Sequence, residues 1–192
     1  MSPTRTREPF WVDGLYLDGY GFYGFDGEMD SETFSTAGGH VGHNNMPALL
    51  FDLVQRGVLR VEQHPAVVVE AWMKAEFPAR NVHPEFWVDW FETAGYTHNG
   101  HPSSRPEAPV TLYRGCAPER QFGMSWTTDL DRARWFAERD LSHGTGNVYV
   151  YQADSAALLA FIGEWGRHEA EYVVDPYFLS DAVVKVLDEP CR

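Results

Sequence analysis

Three polar residues, each at the edge of an apolar, strand-like run, could do chemistry together: Arg114, Ser125 and Glu171. Arg114 ends Val110-Thr-Leu-Tyr and precedes Gly115. An arginine there can grip a phosphate bidentately, and the glycine lets a ligand approach the backbone closely. A surface ion pair is the plainer reading of the same arginine. In Ser125-Trp126-Thr127, alternation sends Ser125 and Thr127 to one side and Trp126 to the other. A hydroxyl so placed can orient a neighbouring carboxylate, or the segment can be a strand edge feeding a helix cap at Thr128. Glu171 stands at the mouth of Tyr172-Val173-Val174, where a carboxylate can stabilise a developing positive charge. Glu169 lies two residues earlier and faces the same side if the strand conformation begins there. A solvated strand start is the other reading of that pair.

In this order the motifs resemble the Arg–Ser–Glu, cholera-toxin-like class of ADP-ribosyltransferases, over Pro109 to Pro176. The resemblance implies a split β-sheet core and NAD as substrate. In similar proteins an arginine in the place of Arg114 holds the NAD phosphates, and the backbone of the next residue, here Gly115, binds the nicotinamide amide. Ser125-Trp126-Thr127 resembles the family's Ser-Thr-Ser motif, which places all three residues at the cofactor. Glu171 matches the catalytic glutamate, and Glu169 the carboxylate that engages the acceptor. Such a pair looks like arginine modification, because a guanidinium needs a carboxylate for positioning and partial deprotonation. Asp129 to Ala137 fits the small helix after the second motif, and Trp165 to His168 the loop where related enzymes recognise targets. The spacing departs from the toxins, which usually place helices between the first two motifs; here Arg114 and Ser125 are eleven positions apart. That gap is similar to compact transferases of the diphtheria-toxin type, whose first motif begins with histidine. The implied function is mono-ADP-ribosylation of a macromolecular acceptor by a compact phage or bacterial enzyme. NAD hydrolysis, with water as acceptor, and a non-catalytic binding module keeping the fold are the alternatives.

Bulk properties narrow the partners. At 192 residues the chain is expected to be one domain with a core of its own. A net charge of −13 repels nucleic acid and anionic membranes, so a protein acceptor is the expected partner. No run approaches membrane-spanning length, and Met1 to Glu8 lacks an apolar signal core. Cys116 and Cys191 fit no metal motif, and a reducing, cytoplasmic setting is the default. No metal is expected: the pairs His40/His43 and His98/His101 read as loop histidines without further ligands at suitable spacing.

The elements that must position these residues are α+β. Residues 1–104 form a helical and loop region, and residues 105–192 the NAD-binding core. Glycine and aromatic residues alternate through an irregular first 45 residues. Helices are predicted over Pro47–Gly57, Ala66–Phe77 and Pro84–Gly95, each opened or preceded by a proline. The stripe Phe86, Trp87, Trp90, Phe91 is read as core packing rather than a stacking platform. Tyr96–Ala108 is read as a linker. Beyond it, Val110–Tyr113, Val148–Gln152, Tyr172–Val174 and Val183–Leu187 are strand-like. Two further helices are predicted, Asp129–Asp140, capped by Thr128 or Asp129, and Ser155–Trp165.

Overall fold

The computed structural model describes residues 4–8, 11–139, 146–163 and 170–188. It divides into two compact units, Met1–Gly95 and Tyr96–Arg192. The boundary falls nine residues before the expected 104/105 division, because Thr97–Pro102 belong to the sheet of the second unit.

The first unit opens with a hairpin of β1 (Leu15–Leu17) and β2 (Tyr23–Phe25). Five helices follow: α1 (Ser31–Val41), α2 (Met46–Gln55), α3 (Ala66–Lys74), α4 (Pro78–Asn81) and α5 (Pro84–Ala94). Helix α1 falls in the stretch expected to be irregular. Asp30 caps it by accepting from the Thr33 N–H at 2.8 Å, and Gly38 lies where a Cβ would meet the Met46 side chain, so close packing offsets the glycine. His40 is consequently in the last helical turn and not in a loop. The aromatic stripe of α5 is core: Trp87, Trp90 and Phe91 are buried, and Trp87 meets Trp72 and Trp90 edge-on at 5.0 and 5.1 Å. Phe86 is its one partly exposed member.

Among its described residues the second unit is an eight-stranded sheet with one long helix. Its strands are β3 (Thr97–His98), β4 (His101–Pro102), β5 (Val110–Cys116), β6 (Ser125–Thr127), β7 (Asn147–Ala153), β8 (Leu158–Ile162), β9 (Glu171–Val174) and β10 (Lys185–Asp188). Their order is β10-β7-β5-β6-β9-β8-β3-β4, antiparallel throughout except for the parallel β3–β8 pair. One face carries a core of Leu112, Cys116, Trp126, Tyr149, Tyr151 and Val174. On the other, α6 (Leu130–Arg139) packs Ala133 and Ala137 against Tyr113 and Val148. Asp129 caps α6, accepting from the Arg132 N–H at 3.1 Å.

Two predictions about this unit are overturned. The helix predicted over Ser155–Trp165 is not formed in its described part, 155–163; after a short 3-10 turn, Leu158–Ile162 is strand β8, paired with β9 on one edge and β3 on the other. Five consecutive apolar residues fit a buried strand as well as a helix, and the two waiting strand edges decide. The expected linker Tyr96–Ala108 contains β3 and β4, joined by Asn99 and Gly100 with φ of +51° and +76°. That two-residue turn matches the twist of the strands it joins. The sheet makes the unit, and the chain, α+β.

Candidate active site

The strands bearing Arg114, Ser125 and Glu171 are neighbours in the sheet, in the order β5-β6-β9. Strands β5 and β7 pair over seven residues, but β5 and β6 join through a single pair, Tyr113 with Thr127. The sheet therefore narrows to one residue pair between the arginine strand and the serine strand. Across β6 and β9, Ser125 pairs with Val173, and Thr127 with Glu171. Cross-strand partners project to the same face, so Ser125, Thr127 and Glu171 share one face, the one covered by α6 over β5. Trp126 pairs with Tyr172 and points the other way, into the core, with its indole N–H donating to the Gly123 carbonyl at 2.8 Å.

Arg114 lies opposite Tyr149, on the parity of Leu112 and Cys116. Its half-buried side chain turns to the β5–β6 connection. The Nε–H donates to the Arg120 carbonyl at 3.0 Å, and Nη1 donates to the Ser125 carbonyl. Gly123 makes room for it, since a Cβ there would stand 2.4 Å from Nη2. The guanidinium thus braces the connection from β5 to β6 and fastens the Ser125 backbone. Gly115 serves packing in the same way. A Cβ on it would come within 1.7 Å of the Ala133 carbonyl oxygen, so the close approach its bare Cα permits is that of α6. Thr127 is buried, and its hydroxyl accepts from the Asp129 N–H at 3.0 Å, tying β6 to the helix cap.

Glu171 is the first residue of β9, flanked by Thr127 on one side and Ile162 on the other. Ala170, just before it, has φ of +44° and accepts weakly from the Thr128 N–H at 3.4 Å. Strand alternation therefore begins at Glu171 and does not run back through Ala170. Glu169 lies outside the described residues, as do Trp165 to His168 and Cys191. Behind the glutamate, burial pushes the phenols of Tyr172 and Tyr96 up, which keeps both protonated.

One residue that holds this region was not singled out in the sequence. Asn99 donates its backbone N–H to the Phe161 carbonyl and accepts from the Gly163 N–H through Oδ1, both at 2.8 Å. It clips the end of β8 beside Ile162, the partner of Glu171. The signal was the dipeptide Asn99-Gly100, a strong two-residue hairpin mark.

Among the described residues no helix is long and apolar enough to cross a membrane, and no three His, Cys, Asp or Glu side chains gather as a metal set. No protein-family model, curated protein or solved structure matches this chain.

Proposed function

We propose that this chain is a mono-ADP-ribosyltransferase that splits NAD at the nicotinamide–ribose bond and passes ADP-ribose to a protein acceptor, an arginine side chain being the acceptor that Glu169 and Glu171 would suit. The carrying observation is the adjacency of three strands that place Glu171 and Ser125 on one face and fasten Arg114 to the Ser125 backbone, beside a sheet join one residue pair wide. In this reading the C–N bond breaks with its electron pair leaving on nicotinamide. Glu171 stabilises the oxocarbenium-like ribose, Ser125 orients the sugar or the carboxylate, and Arg114 with Gly115 takes the phosphates and the nicotinamide amide. Trp126 and Thr127 support the site from the core and the helix cap. Glu169 accepts the proton that the attacking nitrogen releases. A reducing, intracellular setting suits a chain with two cysteines and no metal motif.

The test is nicotinamide release from NAD by purified protein, with and without added protein acceptor, against Glu171→Gln. Release should fall about a thousandfold in the variant, the scale of losing a charge-stabilising group from the transition state, with the fold retained. Release without transfer to any acceptor would identify water as the acceptor and the enzyme as an NAD glycohydrolase. No release under either condition would refute both, and leave a binding module.

A further inference from the structure

Residues 4–8 form an arginine-bearing arm laid along β1. Thr6 and Leu17 exchange both backbone hydrogen bonds at 2.8 Å as an antiparallel bridge. Alternation then puts Arg5 and Arg7 on the face of Tyr16. There Arg5 Nη1 donates to Asp26 Oδ1 at 2.8 Å, and Arg7 Nη2 donates to Asp26 Oδ2. Arg7 also lies 4.0 Å from the fully exposed carboxylate of Asp13. The Arg5 guanidinium carbon sits 4.1 Å from the centroid of the Tyr16 ring, a cation–π contact. The ring itself is seated by sequence: its cross-strand partner is Gly24, where a Cβ would come within 2.5 Å of it.

The arm is held by small contributions. It makes one bridge, and its ion pairs to Asp26 are about half exposed on both sides, where such pairs contribute little. All five of its residues are exposed. Beneath it lies a more definite receptor, made of a strand edge, a carboxylate engaged by two guanidinium groups, and a fixed aromatic ring. The surrounding charge favours a cationic occupant. From Glu8 to Gly39 the chain has seven Asp and Glu residues and no Lys, Arg or His. Of the seven, Asp18 is paired with Arg56 and Glu28 with Arg60, which leaves the acidic excess around Asp13 and Asp26.

We propose that the outer edge of β1, with Asp26 and Tyr16, is a docking site for an extended Arg-x-Arg segment of a partner protein, which adds as a strand after displacing residues 4–8. Main-chain bonds to β1 supply affinity in that mode, and the alternate arginines on Asp26 and Tyr16 supply specificity. The arm is an intramolecular stand-in for the partner strand and lowers its apparent affinity by competing for the same edge.

A fluorescent peptide containing Thr-Arg-Thr-Arg-Glu tests this by anisotropy, titrated with the full chain, with Arg5→Ala/Arg7→Ala, and with that double variant carrying Asp26→Asn as well. A Thr-Ala-Thr-Ala-Glu peptide is the control. The double variant should bind the arginine peptide about fivefold tighter than the unaltered chain, the scale of two exposed ion pairs lost by the competing arm. Adding Asp26→Asn should reduce binding to the control level, with an unchanged circular dichroism spectrum showing that the half-exposed position tolerates the amide. Equal binding to the unaltered chain and the double variant would overturn the proposal, as would binding indifferent to Asp26→Asn, or no binding at all. A concentration-dependent dimer of the unaltered chain, lost in Arg5→Ala/Arg7→Ala, would also overturn it, by making a second copy's arm the occupant.

Discussion

Replacing Gly115 by alanine tests whether α6 rests on β5 at backbone contact. The new Cβ would stand 1.7 Å from the Ala133 carbonyl oxygen and 2.6 Å from the Ala137 nitrogen, where such contacts do not fall below 3.0 Å. The obstruction is helix backbone, which cannot swing aside as a side chain can. Helix α6 must therefore move outward by more than an ångström, and the cluster of Tyr113, Leu130, Ala133, Ala137 and Val148 opens with it. Overpacking a close-packed core costs about 1–3 kcal/mol, and a backbone obstruction belongs at the upper end, so the expected loss is about 3 kcal/mol. For a chain of this length that lowers Tm by roughly 6–12 °C. Gly39→Ala is the matched control, because it lies in α1 with nothing within 4 Å of its Cβ position. It should gain about 0.5 kcal/mol from reduced unfolded-state freedom and better helix propensity. Urea unfolding of both variants, with m-values compared to exclude a changed denatured state, reads the two signs directly. Gly115→Ala within about 0.5 kcal/mol of the unaltered chain would refute backbone contact between α6 and β5.

Ala170→Gly should stabilise by about 0.5 kcal/mol in urea, since relief of the left-handed φ of +44° outweighs the entropy of glycine. Asn99→Ala should cost about 2 kcal/mol by losing the bond to Gly163 and straining the turn, whereas Asn99→Gly keeps the turn and should cost about half as much. Burial, reinforced by the nearby Asp18 charge, holds the Asp52 carboxyl above its usual range despite the opposing Tyr23 N–H and Arg56. The folded state therefore favours the protonated form, and ionised Asp52 destabilises it at neutral pH, a penalty that disappears as pH falls through the folded pKa. Asp52→Asn, whose amide oxygen can still accept from the Tyr23 N–H, should exceed the unaltered chain in stability near pH 7, with the advantage shrinking toward acid in urea titrations at both pH values.

What the sequence made legible were elements whose composition and periodicity agree. The aromatic spacing of α5 between Pro84 and Gly95 points to one buried face, and its Trp87 and Trp90 are buried there. Strands β5, β6 and β9 were visible because β-branched or aromatic runs end on polar residues, and the same edges carry the candidate site. Strand β8 was hidden because Leu158-Leu-Ala-Phe-Ile162 has no alternation; a strand paired on both edges and buried on both faces needs none. Helix α1 was hidden because Gly38 and Gly39 argue against a helix locally, while the contact that compensates, Gly38 against Met46, is made after a turn. The register that pairs β5, β6 and β9 leaves no mark in local composition or periodicity; the sequence offered only the order in which their polar residues occur.

The eleven-residue spacing between Arg114 and Ser125 acquires a physical meaning in the fold. A gap that short has no room for a helix to hold β6 in place, and it contains only the 3-10 turn Pro118–Arg120. Strand β6 is paired with β9 over all three of its residues, but its backbone join to β5 is a single pair, which alone ties the serine strand to the arginine strand poorly. The Arg114 fork adds the constraint on that side, binding the carbonyl of Arg120 in the middle of the connection and that of Ser125 where β6 begins, from a single rigid plane. Its Nη2 lies against Gly123, where any side chain would intrude. Arg114, proposed to take a ligand's phosphate, is thus also the brace that lets so short a connection present Ser125 on the face of Glu171. Under that arrangement arginine and glycine at 114 and 123 form one structural unit, and the interval between Arg114 and Ser125 can be short because a side chain performs positioning that a helix would otherwise have to supply.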